Sequence, residues 1–143
     1  ASLHEWAVGS NGTSALAPGT KYYWRVRTYL TNGKVSPWSA VWVLYTQVAR
    51  PINSRPANHA SVNSDTVTFR WTSPKVSSGL ESYQLEYSSS SSFDSPTTFT
   101  VTNNSKTVTL PSSGRYFWRV RAVSKANGTS SYSATFDFNY TKP

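Results

Sequence analysis

The chain has 143 residues, no cysteine, a formal charge of +8 and a charged fraction of only 14%. The lack of cysteine excludes a disulfide framework and a thiolate-ligated metal site, and stability must come from buried aromatics. The net charge reflects few acids rather than many bases. Lys and Arg are scattered or fall at alternate positions instead of forming one stripe, so no nucleic-acid partner is expected and only weak attraction to acidic surfaces or glycans remains.

Aromatic, β-branched and hydroxyl residues dominate and no apolar period of 3.6 is sustained, so the fold class expected is all-β. No apolar run approaches the roughly 18 residues of a membrane helix, and no membrane insertion is expected. Nothing at the start resembles a signal peptide. The pattern is already under way at Ala1, and any export signal is expected to have gone with a missing upstream part.

In chain order, Leu3 to Val8 reads as a short strand and Thr13 to Leu16 as the next. Tyr22, Trp24, Val26 and Thr28 then alternate with Arg25 and Arg27, which places a core-like face opposite a basic one. Asn32-Gly33 marks a reversal, since both residue types tolerate positive φ, and a last strand of this unit runs over Ala40 to Thr46. Gln47 to Arg50 reads as a link. A strand is expected after Pro51, followed by alternation at Val67, Phe69 and Trp71, at Tyr83, Leu85 and Tyr87, and at Val108 and Leu110, with a short strand over Thr97 to Val101. The serine run at Ser88 to Ser92 reads as a loop crossing between sheets, with Phe93 tucked into the core. Tyr116, Trp118, Val120 and Ala122 follow, then a reversal at Asn127-Gly128 and a last strand over Ala134 to Tyr140.

The final segment repeats the first. Tyr22-Tyr23-Trp24-Arg25-Val26-Arg27 recurs as Tyr116-Phe117-Trp118-Arg119-Val120-Arg121 at a spacing of 94 residues, and Leu16, Ser36, Trp38, Ser39 and Trp42 meet Leu110, Ser130, Tyr132, Ser133 and Phe136 without a net gap. A period of this size is a whole small domain. Residues 48–143 then hold a complete domain of about seven strands, and residues 1–47 only the C-terminal half of another.

Trp71, Leu110, Tyr116, Trp118, Val120 and Ala122, matched by Leu16, Pro18, Gly19, Thr20, Tyr22, Trp24 and Val26, resemble the fibronectin type III pattern, especially the kind strung along bacterial surface and secreted proteins. The resemblance implies an immunoglobulin-like β-sandwich in which Trp24, Trp71 and Trp118 are core residues. It also implies that Tyr22 and Tyr116 are corner tyrosines, bonding back to the backbone near Leu16 and Leu110. No Arg-Gly-Asp tripeptide is present, so the integrin loop of some members has no counterpart. Ser36-Pro37-Trp38-Ser39-Ala40-Val41-Trp42 is similar to the Trp-Ser-x-Trp-Ser box of cytokine-receptor modules, though the second Trp-Ser pair is not reproduced. By that likeness Arg25 and Arg27 stack on Trp38 as a cation-π ladder, and Tyr132 is expected to make a weaker one in the second copy.

No catalytic constellation emerges. His4 and His59 read as solvated, and Glu5, Asp65, Glu81, Glu86, Asp94 and Asp137 are too dispersed to pair as acid and base. Calcium and phosphate loops are lacking, and no cofactor is expected. The sequons at Asn11, Asn103, Asn127 and Asn139 are candidate glycosylation sites, although a chain this rich in Ser and Thr produces some by chance.

The expected function is that of a non-enzymatic structural or adhesive module of an extracellular or cell-surface protein. The half-domain is either the remainder of a longer chain or is completed by strands of a neighbouring subunit in a filament. The alternative is an accessory module of a secreted carbohydrate-active enzyme, touching polysaccharide through Trp38, Tyr23 and Phe117.

Overall fold

The computed structural model describes residues 15–76 and 79–143. The expected strand over Leu3 to Val8, His4, Glu5, the Asn11 sequon and the start of the Thr13 to Leu16 segment lie outside them.

Eleven strands and no helix make up the described residues: β1 (Lys21–Trp24), β2 (Trp42–Tyr45), β3 (Ile52–Arg55), β4 (Ala60–Asn63), β5 (Val67–Thr72), β6 (Ser82–Ser88), β7 (Thr97–Val101), β8 (Ser105–Val108), β9 (Gly114–Ser124), β10 (Gly128–Thr129) and β11 (Phe136–Thr141). From β3 onward the chain is a sandwich. A three-stranded sheet in the order β3-β5-β8 faces a larger one in the order β4-β11-β9-β6-β7, with β10 added to β9. Neighbours are antiparallel except β4 and β11, which run parallel with Phe138 opposite Ala60.

Period-2 alternation fills the space between these sheets. Val67, Phe69 and Trp71 point inward from β5, Tyr83, Leu85 and Tyr87 from β6, Tyr116, Trp118, Val120 and Ala122 from β9, and Phe138 and Tyr140 from β11, all buried in one cluster. Phe69 is at its centre, 5.2 Å from the Trp118 ring, 5.8 Å from Tyr87 and 5.9 Å from Phe138. Edge-to-face and offset pairs of this kind add about 0.5–1.5 kcal/mol each beyond the area they bury.

Upstream, β1 and β2 form a separate two-stranded sheet. Its register is that of β9 and β11 carried back by 94 residues, with Trp24 opposite Trp42 as Trp118 is opposite Phe136. The burial differs. Trp118 and Val120 are 0% exposed, but Trp24 is 50% and Val26 59% exposed. The expectation of Trp24 as a core residue is therefore corrected, and the cause is plain: among the described residues no sheet faces β1–β2 as β3-β5-β8 faces β9.

Two further expectations change. The serine run does not cross between sheets, because β6 and β7 pair antiparallel in the same sheet, from Tyr87 opposite Thr97 to Tyr83 opposite Val101. Phe93 is buried but is not part of the core cluster; it lies beneath the Arg119 guanidinium at 4.0 Å. The last strands are also shorter than expected, starting at Trp42 and Phe136.

The link is firmly seated. Val48 is buried in the core cluster of the sandwich. Asn127 Nδ2 donates to the Thr46 carbonyl at 3.0 Å, and Gln47 Nε2 reaches the Thr129 carbonyl at 3.4 Å. Gly19 has φ of +59°, and a Cβ there would lie 3.0 Å from Val76 Cγ1, so both the backbone conformation and the close approach require glycine.

Candidate functional site

Both copies build a basic face from the same parts. Arg25 and Arg27 project from one side of the chain that continues β1, and their guanidinium carbons lie 4.3 and 4.5 Å from the Trp38 ring centroid. Arg27 also sits over Tyr29 at 4.8 Å and donates to its hydroxyl. In the second copy Arg119 and Arg121 lie 4.2 and 4.7 Å from the Tyr132 ring. The second ladder was expected to be the weaker, yet its distances match the first. Tyr132 gains what Trp38 lacks, a hydroxyl that donates to Glu86 Oε1 at 2.5 Å.

Glu86 organises the second ladder. Its Oε2 accepts from Arg119 Nε and Nη2, each at 2.9 Å, and Arg121 Nε donates to Gln84 Oε1 at 2.7 Å. These partners come from β6, whose register puts Glu86 opposite Arg119 and Gln84 opposite Arg121. Burial first, and then the bond to Glu86, raise the Tyr132 phenol above its ordinary pKa.

Paired serines hold each ladder's aromatic ring in place. Ser39 and Ser133 take the N–H of Val26 and Val120 on Oγ, each at 3.0 Å, and return their own N–H to the same residues' carbonyls at 2.8 Å. Ser36 and Ser130 do likewise for Thr28 and Ala122, with Oγ at 2.9 Å. Each hydroxyl then donates onward to the next residue's carbonyl, Pro37, Ala40, Ser131 or Ala134. A hydroxyl thus stands in for a ladder carbonyl, which is why the regular strands begin only after these serines. Trp38 and Tyr132 lie between the paired serines and are turned out over the arginines.

The corner tyrosines differ in the sense of their bonds. Tyr22 accepts on its hydroxyl from the Ala17 N–H at 2.8 Å, whereas Tyr116 donates to the Ser112 carbonyl at 3.0 Å. Trp71 packs edge-on to Tyr83 at 5.3 Å within the core.

His59 is not simply solvated. Its Nδ1 lies 2.9 Å from the Asp137 carboxylate, which also accepts from Arg115 Nε at 3.0 Å. Arg115 foremost, and His59 after it, hold the Asp137 carboxyl below the ordinary carboxylate range. Asn58 closes the cluster by accepting the Asp137 N–H at 3.0 Å. The cluster ties the turn before β4 to β9 and β11. Of the sequons, Asn103 and Asn139 are exposed, but the Asn127 amide is engaged with Thr46. Among the described residues no three His, Asp or Glu side chains cluster so as to hold a metal ion.

A two-sheet sandwich with a corner tyrosine and an aromatic core around a strand-borne tryptophan defines the class as an immunoglobulin-like β-sandwich. The fibronectin type III domain family matches residues 54–137, and the chain belongs to it. Residues 5–49 match a second family, described as the Rha78A-like, N-terminal immunoglobulin domain. The chain is 32% identical over 130 residues to the receptor-type tyrosine-protein phosphatase eta of Gallus gallus, covering 91% of this chain but 9% of that protein. Among solved structures it is similar to domains A168–A170 of titin, with 20% identity, TM-score 0.51 and coverage of 73% of this chain and 37% of that one. A structure described as a myokine gives 15% identity and TM-score 0.50, covering 68% of this chain and all (100%) of that one. At these identities the structural likeness speaks for the fold alone. The fibronectin type III domain is a non-catalytic module, common in extracellular and cell-surface proteins.

Proposed function

We propose that the chain is a structural and adhesive module of a secreted or cell-surface protein, in which the β1–β2 unit is half of a second fibronectin type III domain. Strands of a neighbouring subunit, as in an extracellular filament, or of an upstream part of the same chain complete that half. One observation carries the reading. The β1–β2 sheet repeats the register of β9 and β11, yet Trp24, Val26 and Leu44 remain exposed where Trp118, Val120 and Phe138 are fully covered. Burying side chains of this size is worth about 1.5–3 kcal/mol each, a strong drive to acquire a facing sheet.

Hydrogen exchange tests this. In the native protein the amides of Tyr22–Trp24 and Trp42–Tyr45 are expected to be protected, and in the separate 143-residue chain to exchange quickly. Equal, fast exchange in both would refute completion.

The 65% exposure of Tyr23 favours a second reading as a polysaccharide-contacting accessory module of a carbohydrate-active enzyme. Trp38 serves it less well, being engaged by two guanidiniums. Retention on polysaccharide that is lost in Trp38→Ala and Tyr23→Ala would support this reading over the first.

A further inference from the structure

The open side of β1 carries more information than its apolar face. In the sandwich, β9 is paired along both edges, to β11 through Trp118 and Phe136 and to β6 from Phe117 to Val123. β1 pairs with β2, and its other edge carries no strand among the described residues. Val26 and Thr28 direct their N–H and C=O groups toward Ser39 and Ser36, on the β2 side. The alternation of an extended chain then turns those of Arg25 and Arg27 toward the open edge.

The charges along that edge are unbalanced in a specific way. Arg119 is neutralised by Glu86 and Arg121 is capped by Gln84, both supplied by β6. Their counterparts Arg25 and Arg27 have the Trp38 ring, and Arg27 the Tyr29 hydroxyl, but no carboxylate among the described residues. What the first copy lacks is a strand with the chemistry of β6.

We propose that the edge running from Tyr23 to Arg27 is a docking site for one antiparallel partner strand that presents a carboxylate opposite Arg25, a carboxylate or amide oxygen opposite Arg27, and aromatic or aliphatic side chains between them on the inner face. This rests on the half-domain reading above and names its partner's chemistry. Backbone hydrogen bonds supply the general attraction and the carboxylate the selection. The same charges disfavour the simplest competitor, a second copy docked edge to edge, because that pairing sets arginines against arginines. The free edge of a second copy's β7, Thr-Thr-Phe-Thr-Val, offers no acid either.

A peptide of residues 81–89, Glu-Ser-Tyr-Gln-Leu-Glu-Tyr-Ser-Ser, is the probe, titrated into the full chain and followed by the amide resonances of Tyr23, Arg25 and Arg27. Saturable shifts at these amides are expected, with those of Arg119 and Arg121 unmoved. A peptide carrying Glu86→Lys should bind about tenfold or more weakly, and should recover on a chain carrying Arg25→Glu. Because the decisive substitution is in the peptide, the chain's folding is not at issue. Binding indifferent to the Glu86→Lys change would overturn the charge selection while leaving the half-domain reading intact. The absence of saturable shifts would overturn the single-strand docking site, and hydrogen exchange on the native protein would then report separately whether that reading survives.

Discussion

The paired serines offer a test in which the chain supplies its own control. Ser133→Ala removes the acceptor of the Val120 N–H, and both residues are buried. An N–H left unpaired in such a site costs about 1–3 kcal/mol, since water cannot reach it. Ser39→Ala removes a bond of the same 3.0 Å length, but Val26 is 59% exposed and water takes over the donor, so a change below about 0.5 kcal/mol is expected. Urea unfolding of the sandwich, followed by far-ultraviolet circular dichroism, should show a lower midpoint with an unchanged slope for Ser133→Ala and no shift for Ser39→Ala. Ser133→Thr, which keeps a hydroxyl, should restore part of the loss. Equal midpoints for the two alanine variants, or a cost below about 0.3 kcal/mol for Ser133→Ala, would refute the role of the buried Val120 N–H.

Three more outcomes are expected. Glu86→Gln strips Arg119 of its charge partner in a mostly buried setting and should lower stability by about 1–3 kcal/mol, read from the urea midpoint; an unmoved midpoint would show that the ladder stands without the carboxylate. Because the folded-state pKa of Asp137 is depressed, its contribution is complete above the unfolded-state value of about 3.9 and is lost as pH falls through the lower folded value. Asp137→Asn should therefore melt below the parent at pH 7 and approach it at pH 2; a constant difference across that range would refute the assignment. Asn127→Ala should widen the spread of orientations between β1–β2 and the sandwich, measured by residual dipolar couplings, with little change in melting temperature; unchanged couplings would remove Asn127 from the joint.

The all-β sandwich was legible because its core obeys a two-residue period. Val67-Phe69-Trp71 and Tyr83-Leu85-Tyr87 announce one buried face each, and the 94-residue repeat carries register as well as identity, from Trp24 opposite Trp42 to Trp118 opposite Phe136. What remained hidden depends on contacts between elements that no local pattern encodes. Phe93 reads as an apolar residue in a loop, and nothing around it says that a guanidinium rather than the core will cover it. Glu86 looks like one dispersed acid until the β6–β9 register places it opposite Arg119. The Tyr132 hydroxyl finds Glu86 only through the packing of β6 beside β9, which ring size alone does not signal. Trp24 and Trp118 share a sequence pattern and part company because burial belongs to the pair of sheets, not to the strand.

Val48 has a mechanical corollary. The residue that leaves the β1–β2 unit is already embedded in the next one, so the connection acts as a stiff elbow with no slack to pay out. Swinging one unit about the other would mean extracting a valine at a cost of about 1.5–3 kcal/mol, besides breaking the Asn127 bond. In a longer string of such modules, each joint would pass its angle to the next, and the contour of the whole would be written in residues like this one.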